Sequence, residues 1–205
     1  MDRLPHLPAP AKHQPPRLQI ELRPQVFEPL EALATWQGAL LQPAPVGQAP
    51  LGSAPMGSGP MGSGPVGLAA AATLAPAESH FIGRVRGYTS AGEPLEALEL
   101  EHYPGMCERQ LEALARDGAE RHGVQAVLVI HRVGRILPGE AIVLVAVAAD
   151  RRGQAQRCGQ ELLEALKHEA PFWKREWSGS RGSWIEANTP LDSDACSSAA
   201  SAAGG

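Results

Sequence analysis

Residues 171–176 read Pro-Phe-Trp-Lys-Arg-Glu, and Lys167 lies four positions before them. Two lysines and an arginine therefore sit beside a bulky apolar pair. An apolar wall lowers the local dielectric, so an ammonium held against it loses hydration and its pKa falls. A lysine in that condition can act as a nucleophile or proton carrier. The competing reading is an aromatic core anchor ringed by solvated charges. The six residues alone favour that reading, since structural ion pairs crowd such sites too. Other cations come in pairs. Arg84 and Arg86 are two apart at the end of an apolar run, so on a strand their side chains share a face. A guanidinium fork suits phosphate. Arg151 and Arg152 stand where a helical pattern opens, and free backbone N–H groups there favour an anion. His131 follows Leu128, Val129 and Ile130, and a histidine in such a run reads first as a core or dimer-contact residue. The seven histidines show no ligand spacing such as HExxH, which predicts no metal site.

These residues need elements to position them. Leu18, Ile20 and Leu22 alternate as in a strand, and residues 28–41 suggest a helix with Leu30, Leu33, Ala34 and Leu40 on its apolar side. Residues 79–87 predict a strand, and Gly87, Gly92 and Pro94 mark the turn that follows. Residues 95–103 predict a strand with Leu98, Leu100 and His102 on one face. His102 and Tyr103 read as packing groups near the site. Pro104 is expected as a first-turn proline of a helix that buries Met106, Leu111, Leu114 and Ala115 and stops at Gly123. Residues 124–133 and 140–149 are two apolar strands joined through Pro138-Gly139. Residues 152–169 predict a helix with Ala155, Cys158, Leu162 and Leu166 on one stripe, ended by Pro171. Trp184-Ile185-Glu186 suggests a short last strand. Strands and helices mix without βαβ alternation, so the fold class is α+β.

Four motifs stand in order: Phe81-Ile82-Gly83-Arg84-Val85-Arg86; Leu98 to Met106, reading LELEHYPGM; His131 to Glu140, reading HRVGRILPGE; and Ala170 to Glu176. The set resembles the catalytic (large) subunit family of molybdopterin synthase, weakly over residues 17–41 and strongly over 79–187. The resemblance implies a single α/β-hammerhead-like domain with a mixed and antiparallel sheet. It implies a sulfurtransferase that converts a cyclic pyranopterin monophosphate into a dithiolene. The sulfur comes from the C-terminal Gly-Gly thiocarboxylate of a small ubiquitin-like sulfur-carrier subunit. No metal or redox cofactor is implied. Two large subunits form a central dimer, each taking one small subunit, which gives a heterotetramer. Matched onto this chain, the catalytic residues are Lys167 and Lys174, and the substrate-binding residues are Arg84, Val85, Arg86, Arg151, Arg152, Lys167, Lys174, Arg175 and Glu176. Lys174 is the general acid/base or polarising cation, and Lys167 serves the tail carboxyl. Glu176 orients a lysine, meets the pterin edge or forms a salt bridge. Arg151 stands where the family usually has histidine, and arginine cannot shuttle a proton near neutral pH. Arg151 and Arg152 are expected to reach the neighbouring chain's site.

Composition bounds the rest. The chain has 205 residues and a formal net charge of −4, so no global basic field draws in nucleic acid. Residues 1–16 are Pro-rich, 42–77 form a low-complexity insert, and 190–205 are Ser, Ala, Asp and Gly. All three are expected to be disordered. The insert contains a five-residue repeat over 45–69, from PVGQA to PVGLA, whose deletion is expected to leave folding and activity nearly unchanged. It splits the domain into 17–41 and 78–189, which slow growth of loop-closure entropy with length tolerates. Cys107, Cys158 and Cys196 are odd in number and lack CxxC spacing, which suits a reducing compartment. There is no run of about 18 apolar residues, and Pro5, Pro8 and Pro10 occupy the place of a signal-peptide core. The expectation is a soluble cytoplasmic protein with no membrane or nucleic-acid partner. The terminal Gly204-Gly205 follows a Ser/Ala run rather than a ubiquitin-like body, so it reads as coincidence. The rival class is a non-catalytic or divergent module that binds a phosphate ester or pterin.

Overall fold

Two four-stranded sheets divide the chain's polar and apolar strands between them. The computed structural model describes residues 15–41 and 74–185. The expectations for residues 1–14, 42–73 and 186–205 lie outside the described residues. The first sheet contains β1 (Arg17–Arg23), β2 (Ala77–Arg84), β4 (Ala126–Arg132) and β6 (Ala141–Ala149), in the order β1-β4-β6-β2. β1 runs parallel to β4, and the other two pairs are antiparallel. β4 and β6 are Val/Leu/Ala runs buried on both faces, as central strands covered by helices must be. α2 (Met106–His122) and α3 (Arg152–His168) cover one face, where Leu111, Ala115, Cys158 and Leu162 meet Val127, Val129, Val145 and Val147. α1 (Pro29–Leu40) covers the other, where Leu33 and Trp36 meet Leu128, Ile130 and Leu144.

The second sheet is antiparallel throughout. It joins β3 (Ala97–Glu101), β5 (Gly134–Ile136), β7 (Trp173–Ser178) and β8 (Arg181–Ile185) in the order β5-β3-β7-β8. A small core of Val85, Leu95, Leu100 and Ile136 lies under it. Among the described residues, three helices and two sheets, one mixed and one antiparallel, make the α+β hammerhead-like arrangement that the motifs imply.

Several local expectations are corrected. In α1 the buried positions are Pro29, Leu33 and Trp36, while Leu30 is 68% exposed. Trp36 offers the largest apolar area and rotates the helix to bury itself. Pro104 is not in the first turn of α2. Gly105 separates them as the N-cap, with a φ of 79° that a glycine adopts without strain. Its N–H donates to the Glu108 carboxylate at 2.5 Å. Met106 is consequently exposed rather than inward. β2 spans Ala77–Arg84 rather than 79–87. β5 and β7 were not anticipated. β7 carries Lys174 and Glu176 on one face and Trp173, Arg175 and Trp177 on the other, so no apolar side marks it as a strand. Gly123 stops α2 in the left-handed conformation as expected, and α3 ends at His168, before Pro171. The last strand is Arg181–Ile185, with Glu186 outside the described residues.

Candidate active site

A cavity of about 660 Å3 opens where the two sheets meet. β2 supplies one wall with Phe81 and Gly83, and α3 supplies the other with Leu163 and Lys167. β6 forms its floor through Val143 and Val145, and Phe172, Lys174 and His131 close one end. Gly83 is closely packed here. A Cβ on it would stand 2.8 Å from Val143 Cγ1 and 3.1 Å from Phe81 Cε1, so a side chain would displace the Val143 and Phe81 side chains that line the cavity.

The two lysines arrive from different elements. Lys167 projects from the last turn of α3, and its Nζ lies 3.3 Å from Glu164 Oε1. Lys174 sits on β7 opposite Leu100 of β3, on the strand's inner face. Burial lowers the Lys174 pKa, and the positive charge of Lys167 lowers it further. This is the desolvated lysine that the Pro-Phe-Trp-Lys run foretold. His131 forms part of the same end wall. Its ring stacks on Phe172 at 4.4 Å between centroids, with an interplanar angle of 18°. Burial pushes its pKa down to about 4, and Lys174 acts in the same direction. The sequence reading placed His131 in the core. It is buried, at 8% exposure, yet it also borders the cavity. The clue lay in its alternation with Val127 and Val129, which puts it on the face of β4 that α3 covers.

The remaining candidates do not line this cavity. Glu176, 6% exposed, shares the inner face of β7 with Lys174. Its carboxylate accepts from the Ser90 N–H and the Ser90 hydroxyl, each at 2.9 Å, and meets the Arg86 guanidinium at 3.6 Å. Ser90 and Arg86 thus hold it, and it ties the turn after β2 to β7. Arg86 also lies over the Tyr88 ring at 5.6 Å. Arg84 donates to the Gly139 carbonyl at 3.2 Å, and Val85 is a buried member of the small core. Arg175 points to the opposite face of β7. It lies 3.9 Å over the Trp184 ring and pairs with Glu99 and Glu101 at 3.7 and 3.5 Å. Arg151 is the N-cap of α3 and Arg152 its first residue, both exposed, with no acidic side chain in that first turn. Fifteen residues of helix separate Arg152 from Lys167, a rise of roughly 22 Å. At that separation the two side chains cannot meet within one chain. Among the described residues, no group of three or more His, Cys, Asp or Glu side chains could hold a metal ion.

Comparison with known proteins decides the family. The family described as MoaE protein matches residues 66–169. The chain belongs to the MoaE protein family. A molybdopterin synthase catalytic subunit of Escherichia coli is 42% identical over 107 residues, covering 52% of this chain and 71% of that relative. One from Mesorhizobium japonicum is 50% identical over 95 residues, covering 45% of this chain, and the match spans only 60% of that relative's length. Among solved structures, a molybdopterin biosynthesis MoaE protein from Burkholderia ambifaria superposes with a TM-score of 0.55 at 30% identity, over 88% of this chain and 95% of that one. The MoaE match takes in β2, the cavity floor and α3 with Lys167. It stops five residues before Lys174, whose placement rests on β7.

Proposed function

We propose that this MoaE-family chain is the catalytic subunit of a molybdopterin synthase. In this reading it is a sulfurtransferase that builds the dithiolene of molybdopterin on a cyclic pyranopterin monophosphate. Sulfur enters as the C-terminal thiocarboxylate of a small ubiquitin-like carrier. The observation that carries the reading is the convergence of Lys167 and Lys174, from α3 and β7, on one largely apolar cavity. An amine whose pKa is lowered by burial and by a second cation exchanges a proton nearer neutral pH than an exposed lysine does. Lys174 then serves as acid and base at the reacting carbon. Lys167, half exposed at the rim, receives the carrier's glycine tail.

Phosphate recognition falls to the arginines in this proposal. Arg84 and Arg86 flank the turn after β2, and Arg86 is aimed by Glu176. Arg151 and Arg152, too far along α3 to serve their own chain's lysines, complete the site of a second copy in a homodimer. Residues 17–41 and 78–189 act as one catalytic domain interrupted by residues 42–77, since β1 lies in register along β4 from Arg17↔Ala126 to Arg23↔Arg132. No helix of the described residues is long and apolar enough to cross a membrane.

The test is reconstitution. Mixed with a thiocarboxylated small subunit and the cyclic pterin phosphate, the chain should yield a dithiolene product in proportion to thiocarboxylate consumed. Binding of the pterin phosphate without product, under conditions where the Escherichia coli relative turns over, would replace the proposal with a pterin-binding module. The arginine at position 151 gives that second reading its one specific support.

A further inference from the structure

Glu176 divides its two oxygens between two partners. Its Oε2 accepts from both the Ser90 N–H and the Ser90 hydroxyl, each at 2.9 Å, and its Oε1 lies 3.6 Å from the Arg86 guanidinium. Two donors on one oxygen fix the plane of the carboxylate, and that plane decides where the other oxygen points. Glu176 is buried, whereas the Arg86 side chain is 41% exposed. The guanidinium is therefore held from the inside by Glu176 and lies over the Tyr88 ring, while its outer side stays open to an anion.

The turn that carries Ser90 is closed by its own hydrogen bonds. The Thr89 N–H donates to the Glu93 carbonyl at 2.7 Å, the Glu93 N–H to the Thr89 hydroxyl at 3.1 Å, and the Gly92 N–H to the Thr89 carbonyl at 3.0 Å. The Leu95 N–H closes the base on the Gly87 carbonyl at 3.0 Å. Thr89 is buried within this network, and Ser90 is the exposed residue that joins it to β7. Lys174 lies on the same strand two residues before Glu176, about 7 Å along it. One strand thus carries both the cavity's buried amine and the anchor of the arginine-bearing turn.

We infer that Ser90 is a positioning residue for Arg86: it holds one oxygen of Glu176 so that the other sets the guanidinium for the substrate's phosphate, at a fixed span from Lys174. The inference rests on the phosphate-binding role proposed for Arg86. Serine suits the task on chemical grounds. Its two donors satisfy a buried oxygen without adding charge, so the carboxylate keeps its attraction for Arg86. A lysine or arginine at this place would pair with the carboxylate and compete with Arg86. An aspartate would repel it. Alanine would leave Oε2 with the backbone donor alone and the carboxylate free to turn.

The full chain is tested as wild type, Ser90→Ala and Ser90→Thr, threonine keeping the hydroxyl. Proton–nitrogen correlation spectra read the Arg86 Nε–H without reference to catalysis, the signal being assigned by its loss in Arg86→Lys. It should move in Ser90→Ala and return in Ser90→Thr. Calorimetric titration with the cyclic pterin phosphate should give a Kd about fivefold weaker in Ser90→Ala, the worth of one lost hydrogen bond, and recovery in Ser90→Thr. In the reconstituted assay KM should rise by a similar factor with little change in kcat. An Arg86 signal unchanged in Ser90→Ala overturns the inference. So does an unchanged Kd in Ser90→Ala when Arg86→Ala weakens binding, since a lower melting temperature alone marks a merely structural contact. A moved Arg86 signal together with pterin phosphate binding that Arg86→Ala leaves unaltered upholds the relay and sinks the phosphate reading instead. Should Ser90→Ala fail to fold, Ser90→Gly removes the hydroxyl in its place and is read the same way.

Discussion

The two sheets are built on opposite principles. In the first, β4 and β6 bury Val, Leu, Ile and Ala on both faces between α1 on one side and α2 with α3 on the other. In the second, β7 turns Lys174 and Glu176 inward, and leaves Trp173 and Arg175 on the outer side over a core of four buried side chains. Buried apolar side chains therefore concentrate in the first sheet, and inward-facing charges in the second. The cavity lies on their seam because it needs both: an apolar floor to strip water from an amine, and a strand free to point charges at that floor.

The comparison is broken most directly by separating stability from turnover. Leu128→Ala, on the α1 side of the first sheet, should lower unfolding free energy by about 2–5 kcal/mol, read by denaturant melts, while the folded fraction keeps its rate constant. Lys174→Ala and Lys167→Ala should do the reverse. Each should cut dithiolene formation by at least about a hundredfold, with melting nearly unchanged and small-subunit binding retained. Arginine should not rescue either, since its charge is fixed and its fork is larger than an ammonium. Normal turnover in both alanine variants would remove the enzymatic reading.

A subtler test uses acid. His131 is neutral when folded, with a pKa of about 4, and takes up a proton near 6.5 when unfolded. The unfolded chain thus binds more protons between those values, so stability rises with pH from about 4 to about 6.5 and is flat above. The span amounts to roughly 3 kcal/mol. His131→Gln should flatten that limb in a stability-versus-pH series, and an undiminished acid limb would assign it to other groups. The smallest effect is expected on the outer face. Arg175→Lys loses the flat stack on Trp184 and should cost about 1 kcal/mol or less, visible as a small fall in melting temperature.

What could be read from the sequence follows the same division. β4 and β6 are legible as unbroken apolar runs, α2 and α3 because their apolar residues repeat at the helix period, and Gly123 and Pro171 mark where the two helices end. β7 was not, because its inward residues are charged and its alternation has the polarity of no ordinary strand. β5 is three residues long, too short for any period to show. At the site, Lys167 and Lys174 announced themselves by their apolar neighbours. His131 read only as core, since nothing in Leu-Val-Ile-His says that the covering layer stops short and leaves a cavity. Glu176 and Arg86 stand in different motifs far apart in the chain and meet only because β7 passes the turn after β2.

The length of α3 has a genetic consequence. On the proposed dimer, one chain brings the lysines and the other brings Arg151 and Arg152 across a helix too long to fold back. A Lys174→Ala chain and an Arg152→Ala chain would each be inactive alone, yet a mixed pair holds one active centre with all its wild-type groups and one with neither the lysine nor the arginine. Co-expression of the two inactive alleles should then restore about a quarter of wild-type activity, the share of intact centres after random pairing. Two defects in one polypeptide should restore none.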